Sequence, residues 1–126
     1  MKINKLIDIE NAQCFTLEEQ TDKRSLAYPE KYGVYIVTDD MDNVIYIGMS
    51  GTVNNDGTFK GQNIRRRLNN THKIEHKKLI NEKGYLYIKI YCIPIQDGEL
   101  PSCKEACLLE KFYGYDKRLP LLNEKA

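Results

Sequence analysis

The chain has 126 residues, 41% apolar and 29% charged, with a formal net charge of +1. A chain of this size buries roughly two thirds of its unfolded surface, enough for one core, and its apolar share excludes a disordered chain. The longest apolar run, residues 32–37, falls far short of the ~18 residues that a membrane span demands.

The first thirty residues are mixed, with a strand expected around 2–9 and a polar, helix-compatible stretch reaching Arg24. A clearer pattern starts at Pro29. Residues 32–37 and 44–48 are rich in β-branched and aromatic side chains and read as strands, and the Asp- and Asn-rich segment 38–43 between them is turn chemistry. If Thr38 opposes Asn43, then Tyr35 faces Tyr46 and Gly33 faces Gly48. The period-two alternation of strands puts all four on one face, so two phenols would stand beside a shallow floor of bare backbone.

A Gly-, Asn- and Asp-rich loop, 50–61, leads into a short helix expected over 62–69, with Ile64 and Leu68 inward. A second helix, carrying His72, His76, Leu79 and Ile80 on one face, should run to Lys83 and stop at Gly84. Residues 85–93 alternate as a third strand. The last helix is expected to begin at Ser102, where Ser102 and Glu105 have the spacing of a capping box. Its periodicity groups Cys103, Ala106, Cys107, Glu110 and Tyr113 on one stripe. A carboxylate on an inward stripe must be paired, at the edge, or coordinating a cation, because an unpaired buried charge is too costly.

Charge is unevenly spread. Residues 1–30 carry −2, whereas 60–83 hold eight basic side chains (Lys60, Arg65, Arg66, Arg67, Lys73, Lys77, Lys78 and Lys83) against Glu75 and Glu82, a net +6. That is a local anion footprint inside a near-neutral chain, or else a solvated helix face. Cys14, Cys92, Cys103 and Cys107 lack the spacing of a disulfide framework and are expected to be reduced. Asp8 and Glu10 interrupt the stretch after Met1 where a signal peptide would need its apolar region, so the cytoplasm is the expected compartment.

Gly33-Val34-Tyr35 and Tyr46-Ile47-Gly48, with ten residues between the tyrosines, resemble the signature of the GIY-YIG nuclease family. In order after them, the basic helix around Arg67, Glu110 on the later helix and the closing Pro120-Leu121-Leu122-Asn123 also match. The resemblance covers roughly 29–123. It implies an α+β fold, with a small three-stranded, mainly antiparallel sheet flanked by helices over 29–126 and residues 1–28 as an N-terminal extension. Three features depart from the pattern: about eleven extra residues (51–61) before the arginine helix, Met49 where repair-type members often carry lysine, and His72, one residue beyond the place where restriction-type and resolvase-type members put a histidine.

The resemblance implies Mg²⁺-dependent phosphodiester hydrolysis in DNA, with Mn²⁺ as a substitute metal and RNA as a second polymer of the same chemistry. Tyr35 would be general base or water-orienting phenol; an ordinary phenol titrates near ~10, so a cation or a histidine, His72 or His76, must assist it. Arg67 would hold the scissile phosphate, Glu110 would bind the metal, Tyr46 would position phosphate or water, and Asn123 would fix the surroundings of Glu110. Gly48, Lys60, Arg65, Arg66, Lys73 and Lys77 would contact nucleic acid; either a partner protein or second copy would supply targeting, or the N-terminal extension and the enlarged loop would read structure or a short sequence.

Two rivals stand beside this reading. A nucleic-acid-binding module of the same fold that has lost cleavage would share the basic segment and the tyrosines. A zinc-structured protein would use His72, His76, Cys103 and Cys107, whose i,i+4 spacings put each pair on one helix face.

Overall fold

A computed structural model describes residues 1–21, 27–71 and 73–123. The fold is α+β: a four-stranded antiparallel sheet in the order β1-β6-β2-β3, a separate two-stranded ribbon, β4-β5, and four helices. The main-sheet strands are β1 (Gln13–Leu17), β2 (Gly33–Thr38), β3 (Val44–Ser50) and β6 (Ile88–Pro94), and the ribbon is β4 (Thr52–Val53) with β5 (Phe59–Lys60). The helices are α1 (Ile3–Leu6), α2 (Ile64–Asn70), α3 (His76–Lys83) and α4 (Pro101–Asp116).

The sheet carries a core on each face. On one side Tyr35, Val37, Tyr46, Ile88, Ile90 and Cys92 pack against Ile64, Leu68, Ile74 and Leu79, the apolar positions of the α2–α3 region. On the other, Val34, Ile36, Ile47, Tyr91 and Ile93 meet Ile3 and Leu6 of α1 and Phe112 of α4. Burial on both sides explains why β2 and β3 read as continuous apolar runs rather than alternating ones.

Several expectations need correction. Residues 2–9 do not form a strand: they hold α1 and the start of a short 3₁₀ turn (Ile9–Asn11), and only Lys2 bridges to Asn43. The stretch expected as helical instead supplies β1, which pairs with β6 from Gln13↔Cys92 to Leu17↔Ile88; residues 18–21 after it are not helical, and 22–24 lie outside the described residues. The sheet therefore has a fourth strand, built from the N-terminal thirty residues. The first helix after the ribbon covers 64–70 rather than 62–69, the second begins only at His76 but ends at Lys83 before Gly84 as expected, and the third predicted strand starts three residues late, at Ile88.

The hairpin register differs by two residues from the predicted one. Tyr35 opposes Gly48 and Val37 opposes Tyr46, and a bulge between Val37 and Thr38 puts Thr38 opposite Val44. The turn explains the shift. Asp39 Oδ1 accepts hydrogen bonds from the backbone of Met41 and Asn43, each at 2.9 Å, and Asp39 N donates to Asn43 O at 3.0 Å. Asn43 thereby belongs to the turn and cannot open the strand. A shift of two preserves face parity, so Tyr35 and Tyr46 still project from the same side, their ring centroids 6.0 Å apart.

Helix α4 shows the largest correction. It begins at Pro101, with Leu100 as the N-cap and no capping side-chain hydrogen bond, so Ser102 and Glu105 form no capping box. Its stripe is also inverted. Cys103, Ala106, Cys107, Glu110 and Tyr113 are all exposed, while Pro101, Glu105, Leu108, Leu109 and Phe112 turn toward the sheet. Leucine and phenylalanine bury far more apolar area than alanine or cysteine, and they decide which face goes in.

Candidate active site

The edge strand β3 organises the site. Its middle is covered by the closing segment: Leu122 N donates to Ile45 O at 2.9 Å, Asn123 Oδ1 accepts from Ile47 N at 2.9 Å, and Asn123 Nδ2 donates to Ile47 O at 2.8 Å. The carboxamide of Asn123 thus imitates a neighbouring strand at the residue between Tyr46 and Gly48. This corrects its expected role: Asn123 holds the β3 backbone rather than the surroundings of Glu110.

Where β3 leaves the sheet, a cleft of about 280 Å³ opens. It is lined by Tyr46, Met49 and Ser50 of β3, by Lys60 of the ribbon, by Arg67 of α2 and by Glu105 of α4, among others. Helix α2 is started by Asn63, whose side chain accepts from Arg66 N at 3.0 Å. Ile64 and Leu68 anchor its inner face in the core, which leaves Arg67 on the outer face beside the cleft. Glu105 arrives because it lies on the same stripe of α4 as Pro101, Leu108 and Phe112.

Glu110 does not join this group. Five residues beyond Glu105 on a helix, it is rotated by about 140° around the axis, and it is exposed. The carboxylate of the cleft is therefore Glu105, whose spacing from Ser102 had suggested a capping box instead. The spacing 101, 105, 108, 112 was the signal that could have found it.

Tyr35 lies behind Tyr46, outside the cleft lining. It is fully buried, and its ring lies flat over Gly48: a β-carbon at residue 48 would sit 2.5 Å from Cζ and 2.7 Å from Oη. The depression expected beside the glycines is thus filled by the phenol itself. Gly33 serves elsewhere, letting β2 approach β6 so closely that a β-carbon there would meet Ile93 O at 2.3 Å. Tyr35 Oη is buried, and although no described residue meets it with full hydrogen-bond geometry, the Arg67 guanidinium and the Tyr46 hydroxyl are near enough to act on it. Burial pushes the Tyr35 phenol well above its ordinary value, the neighbouring Tyr46 pushes the same way, and Arg67 only partly opposes them. Tyr46, nearer the surface, is also raised by burial and drawn back by Tyr35 and Arg67. Burial likewise favours the protonated form of Glu105, against the pull of Arg67. Glu105 makes no ion pair among the described residues.

The basic segment is divided rather than pooled. Arg67 and Lys60 line the cleft, and Lys73 Nζ stands 5.8 Å from the Tyr46 ring centroid, a cation–π arrangement at the rim. Arg65 turns away: its Nε donates to Tyr28 O at 2.7 Å and its guanidinium pairs with Glu30, tying α2 to the approach of β2. Arg66, Lys77 and Lys78 are exposed. His76 is buried on α3, and His72 lies outside the described residues. With His76 in the core and Cys103 and Cys107 exposed on α4, the four expected zinc ligands do not assemble, and no group of three candidate metal ligands exists among the described residues.

No protein-family model, curated protein or solved structure matches the chain. No helix among the described residues is long and apolar enough to cross a membrane.

Proposed function

We propose that the chain is a metal-dependent endonuclease of GIY-YIG type, hydrolysing phosphodiester bonds in DNA. The observation that carries this reading is the convergence of Tyr46, Lys60, Arg67 and Glu105 on one cleft, with the Tyr35 phenol buried behind it. Two cations, two phenols and one carboxylate are the groups that phosphate binding and water activation require.

The donor set fits Mg²⁺. A single half-buried carboxylate without an ion pair suits an ion that keeps most of its waters and otherwise takes phosphate oxygens, and Glu105, not Glu110, would hold it. When bound, Mg²⁺ or Mn²⁺ supplies neutralisation of charge on the phosphate and on the departing oxygen. The protein's own groups do the rest. The fork of Arg67 binds phosphate oxygens and stabilises the charge that develops on them. Burial keeps Tyr35 protonated and outside the cleft lining, so it supports Tyr46 and Arg67 from behind and does not serve as an unaided base. Tyr46, at the cleft wall, orients the attacking water, whose proton passes to solvent. As the new P–O bond forms, the old one breaks and its oxygen takes a proton from solvent. Asn123 keeps Tyr46 and Gly48 in register by gripping the residue between them.

One observation favours a second reading. Among the described residues Glu105 is the only carboxylate lining the cleft, which also suits a module that binds nucleic acid without cutting it. Incubating supercoiled plasmid with the protein in Mg²⁺, Mn²⁺ or EDTA separates the two. Nicking that needs the metal supports the nuclease, and retarded but intact plasmid under every condition supports the binder.

A further inference from the structure

The β4–β5 ribbon lies over the segment that departs from the nuclease pattern, and its strands are only two residues each. Its tip is closed by its own hydrogen bonds: Asn54 N donates to Thr58 O at 2.8 Å, and Asp56 Oδ1 accepts from Thr58 N and Oγ1 at 3.0 and 2.6 Å. A two-stranded ribbon this short is marginal in water on its own, so something must seat it. The register pairs Thr52 with Lys60 and Val53 with Phe59. Alternation then puts Thr52 and Lys60 on one face and Val53 and Phe59 on the other. The first pair lines the cleft. From the second, Phe59 stacks on Tyr32, centroids 4.9 Å apart and planes 13° from parallel.

Tyr32 is well placed to anchor. It directly precedes β2, and its carbonyl accepts from Ile95 N at 3.0 Å. Its ring also lies against Gly51, which has φ +88° and where a β-carbon would stand 2.3 Å from the ring's Cδ1. One side chain therefore holds both ends of the ribbon, at Gly51 before β4 and at Phe59 within β5.

Resting on the nuclease reading, we propose that the ribbon is a second phosphate-holding wall of the cleft, in which Lys60 takes a phosphate flanking the one bound by Arg67. In this arrangement Tyr32 and Phe59 are positioning residues whose stack aims Lys60 inward. Seating Phe59 on Tyr32 commits the opposite face of the ribbon to the cleft. Without the ring that face loses its aromatic anchor, and the Lys60 ammonium is no longer fixed opposite Arg67.

The test is equilibrium binding of a fluorescein-labelled duplex of about 20 base pairs, followed by anisotropy in EDTA from about 50 to 300 mM KCl. Lys60→Ala should weaken binding roughly three- to tenfold at low salt and flatten the slope of log K against log salt by about one, as expected for one lost phosphate contact. Phe59→Ala, which removes no charge, should flatten the slope by the same amount, Phe59→Tyr should restore it, and Phe59→Ala/Lys60→Ala should be no weaker than either single variant. Gly51→Ala, which displaces the Tyr32 ring from the other end, should resemble Phe59→Ala. Circular dichroism melts identify any variant that has lost its fold. A wild-type slope in Phe59→Ala or in Lys60→Ala overturns the inference and leaves the nuclease reading standing. Failure of the wild-type protein to bind DNA overturns both, whereas the expected slopes in a protein that never cuts uphold the wall and refute the nuclease.

Discussion

Gly48→Ala probes how Tyr35 is held. The two residues are cross-strand partners, and the added β-carbon would lie 2.5 Å from Cζ, 2.7 Å from Oη and 2.8 Å from Cε2 of the ring. Ordinary carbon contacts are about 3.5–4.0 Å, so the ring must move by about 1 Å. It has little room to do so, since Tyr35 is fully buried in the core that contains Val37, Tyr46 and Leu68. Over-packing of this kind typically destabilises by about 1–3 kcal/mol; a value near 2 kcal/mol corresponds to a drop in Tm of roughly 6–10 °C for a domain this size. Urea denaturation at neutral pH measures it. The control is the same substitution in a Tyr35→Leu background, where Cζ, Oη and Cε2 are absent and Gly48→Ala should be neutral within about 0.5 kcal/mol. The double-mutant cycle should then return a coupling close to the whole 2 kcal/mol. Wild-type stability in Gly48→Ala, or an equal penalty in both backgrounds, would refute the close approach of ring and strand.

Glu105→Gln should retain DNA binding while metal-dependent nicking largely disappears, and Glu110→Gln should nick like the wild type; the reverse pattern would return the carboxylate role to the outer face of α4. Arg67→Ala should slow cleavage about a hundredfold, on the order of 3 kcal/mol of transition-state stabilisation, and a kinetically silent variant would remove Arg67 from the chemistry. Asn123→Ala deletes both side-chain bonds to Ile47 and should destabilise the fold by about 1–3 kcal/mol in urea. Burial raises the phenols of Tyr35 and Tyr91, the latter to about 12, above the unfolded value of about 10. The stability they confer is therefore complete below about pH 10 and lost as pH rises toward 12. Urea midpoints should be steady on this account up to about pH 10 and fall beyond it; a midpoint unchanged at about pH 11.5 would mean that these phenols are not protected.

The parts of the fold that were legible beforehand are those where local chemistry and burial agree. Residues 32–37 and 44–48 are β-branched and aromatic and are buried on both faces, so their strands could be read directly. Gly84 ends α3 in the left-handed conformation that its lack of a β-carbon allows. The hairpin register failed because Asp39 recruits Asn43 into the turn through side-chain bonds that composition does not reveal. Strand β1 was missed because Gln13 to Thr16 are exposed or half-exposed, and only pairing with β6, some 75 residues downstream, makes them a strand. Tyr46, Arg67 and Lys60 were named from the sequence and line one cleft. Glu105 reads as a capping-box residue and Glu110 as the family's metal ligand until the apolar area of Leu108, Leu109 and Phe112 is counted, which turns Glu105 inward and Glu110 outward. The helix obeys area.

The grip of Asn123 on Ile47 also bears on how the molecule avoids its own kind. A sheet edge offers a row of unpaired amides and carbonyls on which another chain can add as a strand. On β3 that row is occupied in its middle by a carboxamide and by the backbone of Leu122. Clipping the chain before Pro120 would uncover the carbonyls of Ile45 and Ile47 and the Ile47 amide together, on a strand whose neighbours are valine, isoleucine and tyrosine. The trimmed protein should grow by edge-to-edge addition into oligomers that scatter light, and the same event would bury the mouth of the cleft under the incoming strand.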